Sequence, residues 1–320
     1  MIRVVLSRLG QGATIVALVV SGCFALIRLA PGDPFAVSYV QENVTAEMRD
    51  RMRRIYGFDR PIAEQYVLFV RNVARGELGW SFSRGRPVAQ VLAEAVPPTL
   101  LLMGTALLLG GVGGVAVGAW QGWRGDTRKT RIVGRVSLVI LSMPEFVLAL
   151  LLALGPALAW GLFPVTGMQS DFAPPGIAGV LDVLHHLVLP ALTLALVVCA
   201  MVARHQRRAI LAVTDADFVR AARAKGVPEH RILLRHALRN ALVPVLTLAG
   251  VLFPALIGGA VLVERVFAWP GMGSVVVDAV VRRDYPLVGG SVLLSSLAVV
   301  MGTVLADIAV AWADPRRRQS

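Results

Sequence analysis

Two cysteines in 320 residues, Cys23 and Cys199, leave no material for a disulfide framework, and both fall in apolar runs, where a thiolate metal site is not suggested either. Charge is scarce too. Asp, Glu, Lys and Arg make up 16% of the chain, against about a quarter in an ordinary soluble domain. Motifs of membrane-enzyme chemistry are missing: there is no G-x-S-x-G, no H-E-x-x-H and no C-x-x-C. His185 and His186 are adjacent, point to different helix faces, and have no acidic partner at metal spacing, so they read as interfacial polar residues. Glycine is plentiful in "GGVGGVAVG", but no glycine leads into Gly-Lys-Ser or Gly-Lys-Thr, so the chain has no phosphate loop through which to hold a nucleotide.

What is present is apolar surface. The hydrophobic fraction is 56% and the mean hydropathy is +0.68, the composition of a chain that crosses a bilayer several times as helix. Six spans can be drawn, at about 9–30, 98–120, 136–160, 184–204, 242–264 and 287–312. The N-terminal stretch has a positive start and nearly full spanning length, and no A-x-A site closes it. It is expected to be an uncleaved first span rather than a signal peptide. Net charge is +12 and pI is near 11.1, which suits either nucleic acid or the retention of Lys and Arg on the cytoplasmic side of a membrane. The distribution favours the second. Arg3 and Arg8 precede the first span, Arg124 to Arg135 crowd the connection after the second, nine basic residues fill 204–239, and Arg316, Arg317 and Arg318 close the chain. The connection 161–183 has neither Lys nor Arg. An even number of spans puts both termini on one side, and the basic side is expected to be cytoplasmic.

Between the first and second spans, residues 31–97 read as a small helical cap outside the cytoplasm, too small to be an independent enzyme. Thr45 can cap a helix that Gly57 stops. Pro61 fits the first position of a second helix that Gly76 ends, with Ile62, Tyr66, Phe69, Val70 and Val73 on one face. Pro87 starts a third, short helix. The expected organisation is therefore 1–30 as N-terminus and first span, 31–97 as cap, and 98–320 as a five-span core with a basic cytoplasmic loop at 205–241. In the second span Gly110, Gly114 and Gly118 recur every four residues, a spacing that lets two helix backbones approach closely. Glu145, directly after Pro144, lies near the middle of the third span, and Asp307 lies within the last. An ionisable group at that depth costs roughly 3 kcal/mol if it faces lipid, so each marks either a helix contact or a water-lined path. Pro144 favours the path reading for Glu145, because it removes a helical hydrogen bond beside the carboxylate.

The most unusual stretch is "VRAARAKGVPEHRILLRHALRN", Val219–Asn240, basic and helical but broken at Gly-Val-Pro. Thr214 or Asp215 can cap the first helix, Gly226 can take the left-handed conformation that ends it, and Pro228 suits the first turn of the second. Ala221, Ala222 and Ala224 make a small smooth surface between basic flanks. Three readings compete. A DNA-reading helix-turn-helix cannot easily enter a groove when membrane spans anchor both its ends. A merely solvated loop needs no capped, hinged helix pair. The third reading is a docking knob for a cytoplasmic partner.

"DFVRAARAKGV" followed by "RHALRNALVP" resembles the EAA signature of permease subunits of bacterial ABC importers, in particular the dipeptide/oligopeptide/nickel class. The signature is Glu-Ala-Ala, three residues, Gly. It matches at Ala221, Ala222 and Gly226, while Arg220 stands where the signature has glutamate, a departure common in the peptide branch. "LAPGDPF" (29–35), "YGFDRPI" (56–62), "GELGWSF" (76–82), "VLPALTL" (188–194), "VFAWPGMGS" (266–274), "RDYPLV" (283–288) and "DPR" (314–316) look like the first permease of that branch. The resemblance implies an all-α, six-span, type I importer permease with cytoplasmic termini, in a bacterial inner membrane. It implies no enzyme activity in this chain and no cofactor of its own, ATP and Mg²⁺ being held by partners. The implied partners are a second, similar permease, two ATP-binding cassette subunits, an extracytoplasmic binding protein and membrane lipid, with no nucleic acid. Asp217, Ala221, Ala222, Arg223, Ala224, Lys225 and Gly226 would form the coupling helix seated in an ATPase groove, and Pro144 and Glu145 would lie on the translocation path. The expected cargo is di- or oligopeptide, with nickel chelates or other small solutes as the alternative within the family. A membrane scaffold or enzyme that uses no ATPase is the alternative from another class.

Overall fold

A computed structural model describes Ile2–Leu29 and Arg60–Ala313. The helix expected after Thr45 and the "DPR" segment at 314–316 lie outside the described residues. Helix dominates: α1 (Ile2–Leu29), α2 (Ile62–Ala74), a two-stranded antiparallel hairpin of β1 (Trp80–Ser81) and β2 (Arg86–Pro87), α3 (Val88–Arg124), α4 (Arg128–Ser142), α5 (Glu145–Leu152) continued by a π-helical stretch Ala153–Ala159, α6 (Ile177–Thr214), α7 (Asp217–Ala224), α8 (Glu229–Arg231) continued by a π-helical stretch Ile232–Ala237, α9 (Leu238–Ala241), α10 (Val243–Val266), α11 (Met272–Val281) and α12 (Tyr285–Ala313). Among the described residues three helical segments are long and apolar enough to cross a membrane: Val88–Arg124, Ile177–Thr214 and Tyr285–Ala306. The pair α4 and the helix Glu145–Ala159 makes a fourth if its two arms count as one span, but they bend by 107°.

Three expectations change. The third span is not one helix with a loosened bond. Met143 is extended (φ −88, ψ 134) and Pro144 opens a new helix, because the proline ring disfavours the helical region for the residue before it. The short helix expected at Pro87 begins one residue later and does not stop before the second span: α3 runs on through Pro97 and Pro98 to Arg124. The fourth span begins not at His185 but at Ile177, two turns earlier.

The chain divides into two compact units. One comprises Thr99–Pro270 and the chain from Gly302 onward. Its core is Leu102, Met103 and Ala106 of α3 against Leu187, Leu194, Val198 and Val202 of α6, with Ala149 of α5 and Val263 of α10. Phe267 and Trp269, from "VFAWPGMGS", are fully buried in it. The expected glycine packing is built here, and it has a fourth member. A Cβ on Gly110 would lie 2.6 Å from the Ala195 carbonyl oxygen, one on Gly114 2.8 Å from that of Cys199, and one on Gly122 2.9 Å from that of Arg207; one on Gly118 would strike the Ala203 carbonyl. Four successive turns of α3 thus press close to α6, onto its carbonyl oxygens and onto the side-chain roots of Val198, Val202, Gln206 and Ile210. Elsewhere in this unit Thr99 donates to the fully buried Glu264 carboxylate (2.6 Å), a polar contact that the sequence did not reveal.

The other unit comprises Ile2–Pro98 and Gly271–Met301. In it α2 packs on α1 through Phe24, Tyr66 and Phe69, and Ser21 shares a 2.8 Å hydrogen bond with the Tyr66 hydroxyl. Phe69 and Val73 turn inward, but Ile62 and Val70, expected on the same face, are exposed. Val88, Val91 and Leu92 bury against Met272, Val275 and Leu287. The hairpin, unforeseen in the sequence, is clamped by Asp284. Its buried carboxylate accepts from Ser81 Oγ (2.6 Å), Ser83 N (2.9 Å) and Ser83 Oγ (2.7 Å), and from Leu287 N (3.3 Å) at the start of α12. Arg283, just before it, holds φ +55 at the end of α11.

Candidate functional site

The segment Val213–Ala241 folds as a tight helix pair. Neither Thr214 nor Asp215 caps α7. The Thr214 hydroxyl donates back to Ile210 O (2.8 Å) within α6, Asp215 ends that helix, and Ala216 occupies the cap position of α7 with no side-chain bond. Asp217 instead supplies a carboxylate in the first turn of α7, where the helix dipole favours it. Gly226 ends the helix as expected. It holds φ +73, its N–H donates to Arg223 O (2.9 Å), and Val227 N–H donates to Ala222 O (3.1 Å), the two bonds of a Schellman cap. An added Cβ at Gly226 would meet nothing within 4 Å, so only backbone conformation demands glycine there.

The smooth alanine surface is split. Ala222 is buried, packed with Val219, Ile232, Val227 and Trp123 of its own chain. Ala221 and Ala224 are exposed, together with Asp217, Phe218, Arg220 and Lys225. The exposed face is therefore Phe218, Ala221 and Ala224 at helical spacing, and Ala222 belongs to the opposite side. The eight-residue helix gives both faces small residues, which is why composition alone merged them.

Arg223 differs from its basic neighbours. Its Nε donates to Glu229 Oε1 (2.9 Å) and Nη2 to Glu229 Oε2 (3.4 Å), across the Gly226 turn, while its guanidinium lies 5.3 Å from the Trp123 ring centroid. The hydrogen bond it donates to Glu229 holds the guanidinium pKa above its ordinary value. Trp123, near the end of α3, is thus the floor on which the turn rests. Phe218, Trp123 and Glu229 were not singled out in the sequence. A bulky exposed aromatic on a short basic helix was the available signal for Phe218.

Pro228 stands just before α8 rather than inside its first turn. Beyond it the chain stays helical to Val266: the π-helical stretch Ile232–Ala237 absorbs a register shift, and Leu242 keeps helical angles (φ −76, ψ −27). No flexible linker separates the turn from α10.

Glu145 is half-buried at the first position of α5, with Pro144 as its cap residue. Among the described residues no hydrogen bond or ion pair holds its carboxylate. Neither residue lines the cavity of about 1370 Å³, an apolar hollow bounded by α3, α6, Leu233–Leu246 and Gly302–Ala306. The side chain of Asp307 lies outside the description. His185 reaches Leu162 O (3.2 Å), and His186 bonds Asp182 O (2.8 Å) and approaches the Asp182 carboxylate at 3.5 Å, so an acidic partner does lie one turn away. Among the described residues no group of three or more His, Cys, Asp or Glu could hold a metal.

Residues 114–319 match the family described as the binding-protein-dependent transport system inner membrane component, and residues 1–103 match the N-terminal membrane component of such systems. The chain belongs to this family. It is 35% identical over 297 residues to the oligopeptide transport system permease protein AppB of Bacillus subtilis, covering 92% of each chain. It is 37% identical over 310 residues to the di/tripeptide transport system permease protein DppB of Pseudomonas aeruginosa, again covering 92% of each. As an inner-membrane component of a transport system, the chain is a transport protein and not an enzyme.

Proposed function

We propose that this chain is one of two permease subunits of an ATP-driven importer that takes up di- or oligopeptides delivered by an external binding protein. The observation that carries the reading is the exposed, capped turn at Gly226, continuous as helix with α10, in a chain that has no phosphate loop of its own. A chain built this way receives its energy from a partner, and the outer face of α7 is where two ATP-binding cassette subunits' share of the contact falls on this protein. Nucleotide binding draws the ATPases together, α7 follows, and the helix from Glu229 to Val266 carries the displacement into the membrane. Peptide as cargo rests on the relatives' names over nine-tenths of the chain. Six spans, cytoplasmic termini and an extracytoplasmic 31–97 segment complete the reading, with Pro144 and Glu145 on the path, where the carboxylate offers a negative charge to a peptide amine.

The test is purification of the tagged chain from its native membrane. Two ATPase subunits and a second permease are expected with it, and deletion of the gene abolishes di- or oligopeptide uptake. A chain that comes away alone and leaves uptake unchanged overturns the reading. Sidedness is checked with single cysteines at Gly176 and Lys129 in a background lacking Cys23 and Cys199. An impermeant thiol reagent on whole cells labels the first and spares the second. The neighbouring Thr130 is unsuited to labelling, being fully buried in its own capping box.

A further inference from the structure

Between α4 and α6 lies a cavity of about 420 Å³ whose polar wall is built of Arg131, Arg135, Arg204, Arg207 and Arg208. Helical spacing makes it so. Arg131, Arg135 and Leu138 follow one face of α4, and Arg204, Arg207, Arg208 and Leu211 follow one face of α6. The start of α4 is held in place, since the Thr127–Thr130 capping box closes it and Gln121 donates to Thr130 O (3.2 Å).

Most of the charge in this wall is uncompensated among the described residues. Arg131 pairs with Asp126 at 3.4 Å, both exposed. Among the described residues no carboxylate lies within 4 Å of Arg135, Arg204, Arg207 or Arg208. The Nε of Arg207 is buried with no hydrogen-bond partner. Like charges gathered in one hollow repel, and a buried guanidinium N–H without an acceptor is costly, so the site asks for an anion. Guanidinium forks match phosphate oxygens better than they match a spherical ion. The same cavity is bounded by Leu138 and Leu141, and α4 continues outside it with Ile132, Val136 and Val139 exposed. Guanidinium groups interleaved with Leu138, Leu141 and Leu211 make a site better suited to an amphiphile than to a free ion.

We propose that this cavity holds the phosphate of an anionic membrane phospholipid, with an acyl chain against Leu138 and Leu141. The proposal rests on the chain being an inner-membrane component and is independent of which solute it moves.

The test uses the complex purified with its partner subunits, exchanged into mild detergent, with phosphatidylglycerol and phosphatidylcholine added in equal amounts and retained lipid read by native mass spectrometry. Phosphatidylglycerol should be retained over phosphatidylcholine by about tenfold. Arg204→Gln with Arg207→Gln should reduce that preference to about twofold or less, whereas Arg71→Gln with Arg75→Gln, the same charge loss at the end of α2, should leave it intact. If the double variant does not assemble, the exposed Arg204→Gln alone should lower the preference by about threefold. Equal retention of the two lipids by the unaltered complex overturns the proposal. So does an undiminished preference in the Arg204 variants. Displacement of phosphatidylglycerol by millimolar inorganic phosphate overturns it as well and assigns the site to a free anion, and loss of the lipid when an acidic partner segment is bound assigns it to a protein contact. Failure of the partner subunits to co-purify would count against the importer reading without touching the lipid preference of this chain.

Discussion

The turn at Gly226 and the corner at Arg283 end their helices with the same two backbone bonds, yet they differ in everything that surrounds those bonds. At the first, Val227 N–H reaches Ala222 O and Gly226 N–H reaches Arg223 O. At the second, Asp284 N–H reaches Ala279 O (2.8 Å) and Arg283 N–H reaches Val280 O (3.1 Å). The first uses glycine for its positive φ; the second forces an arginine into it. After the first comes an apolar valine tucked under the turn, with the polar side chains of α7 left outward. After the second comes Asp284, 1% exposed, with its carboxylate bonded to Ser81, Ser83 and Leu287. One corner finds all its partners in its own chain. The other presents its finished backbone and an unfinished surface, the form expected of a part that works by touching something else.

The largest effect that could break this comparison is Asp284→Ala. It strands the buried Ser81 hydroxyl, the half-buried Ser83 hydroxyl and two backbone N–H groups, a loss of about 3–5 kcal/mol. The purified complex should melt many degrees lower or fail to accumulate, with Asp284→Asn intermediate; an unchanged melting curve would show that the corner is not self-contained. Next is Gly226→Val. The cost is about 1–2 kcal/mol, confined to a residue with open space around it. Membrane levels should stay near normal while transport and binding-protein-stimulated ATP hydrolysis are lost. Ala222→Leu and Ala221→Leu then separate the two faces of α7. The first overpacks the chain's own core against Ile232 by about 1–3 kcal/mol and should lower the melting temperature. The second should leave melting unaltered and weaken co-purification of the ATPases. If both behave alike, the division of the helix is wrong. Arg223→Ala removes a cation–π contact of about 0.5–1 kcal/mol and an exposed ion pair of less than about 1 kcal/mol, so stimulated hydrolysis should fall further than in Arg220→Ala or Lys225→Ala. Smallest is Arg283→Gly, which relieves a strained φ and should raise stability by up to about 1 kcal/mol, read as a small upward shift in melting.

How much of this was legible in the sequence follows from how local each cause is. Gly226 could be read because a helix terminator acts through its own φ. Gly110, Gly114 and Gly118 could be read because their period is the helix's own; Gly122 obeys the same period but lies past the apolar run and was passed over. Pro144 reads in the sequence as a loosened bond, since a proline can kink or break a helix and only its packing decides which. Asp284 lay inside the quoted "RDYPLV" yet drew no attention, because the serines it holds are some two hundred residues earlier. Trp123 was hidden for the same reason: its partners, Val219, Arg223 and Ile232, come a hundred residues later. Ala222 was assigned to the outer surface because alanine carries too little side chain to show which way a short helix is turned.

The glycines of α3 carry a mechanical meaning. Where side chains interdigitate, two helices can slide by exchanging rotamers. Where glycine at four successive turns brings one backbone against the carbonyls and stiff side-chain roots of the other, the layer that could shear is thin. Such a pair bends as one beam, much stiffer than two rods lying loosely side by side. Trp123 stands one residue past the last of those glycines and directly under the Gly226 turn. A tilt imposed on that tryptophan therefore reaches two helices at once, without play, along the whole length over which α3 and α6 are spliced.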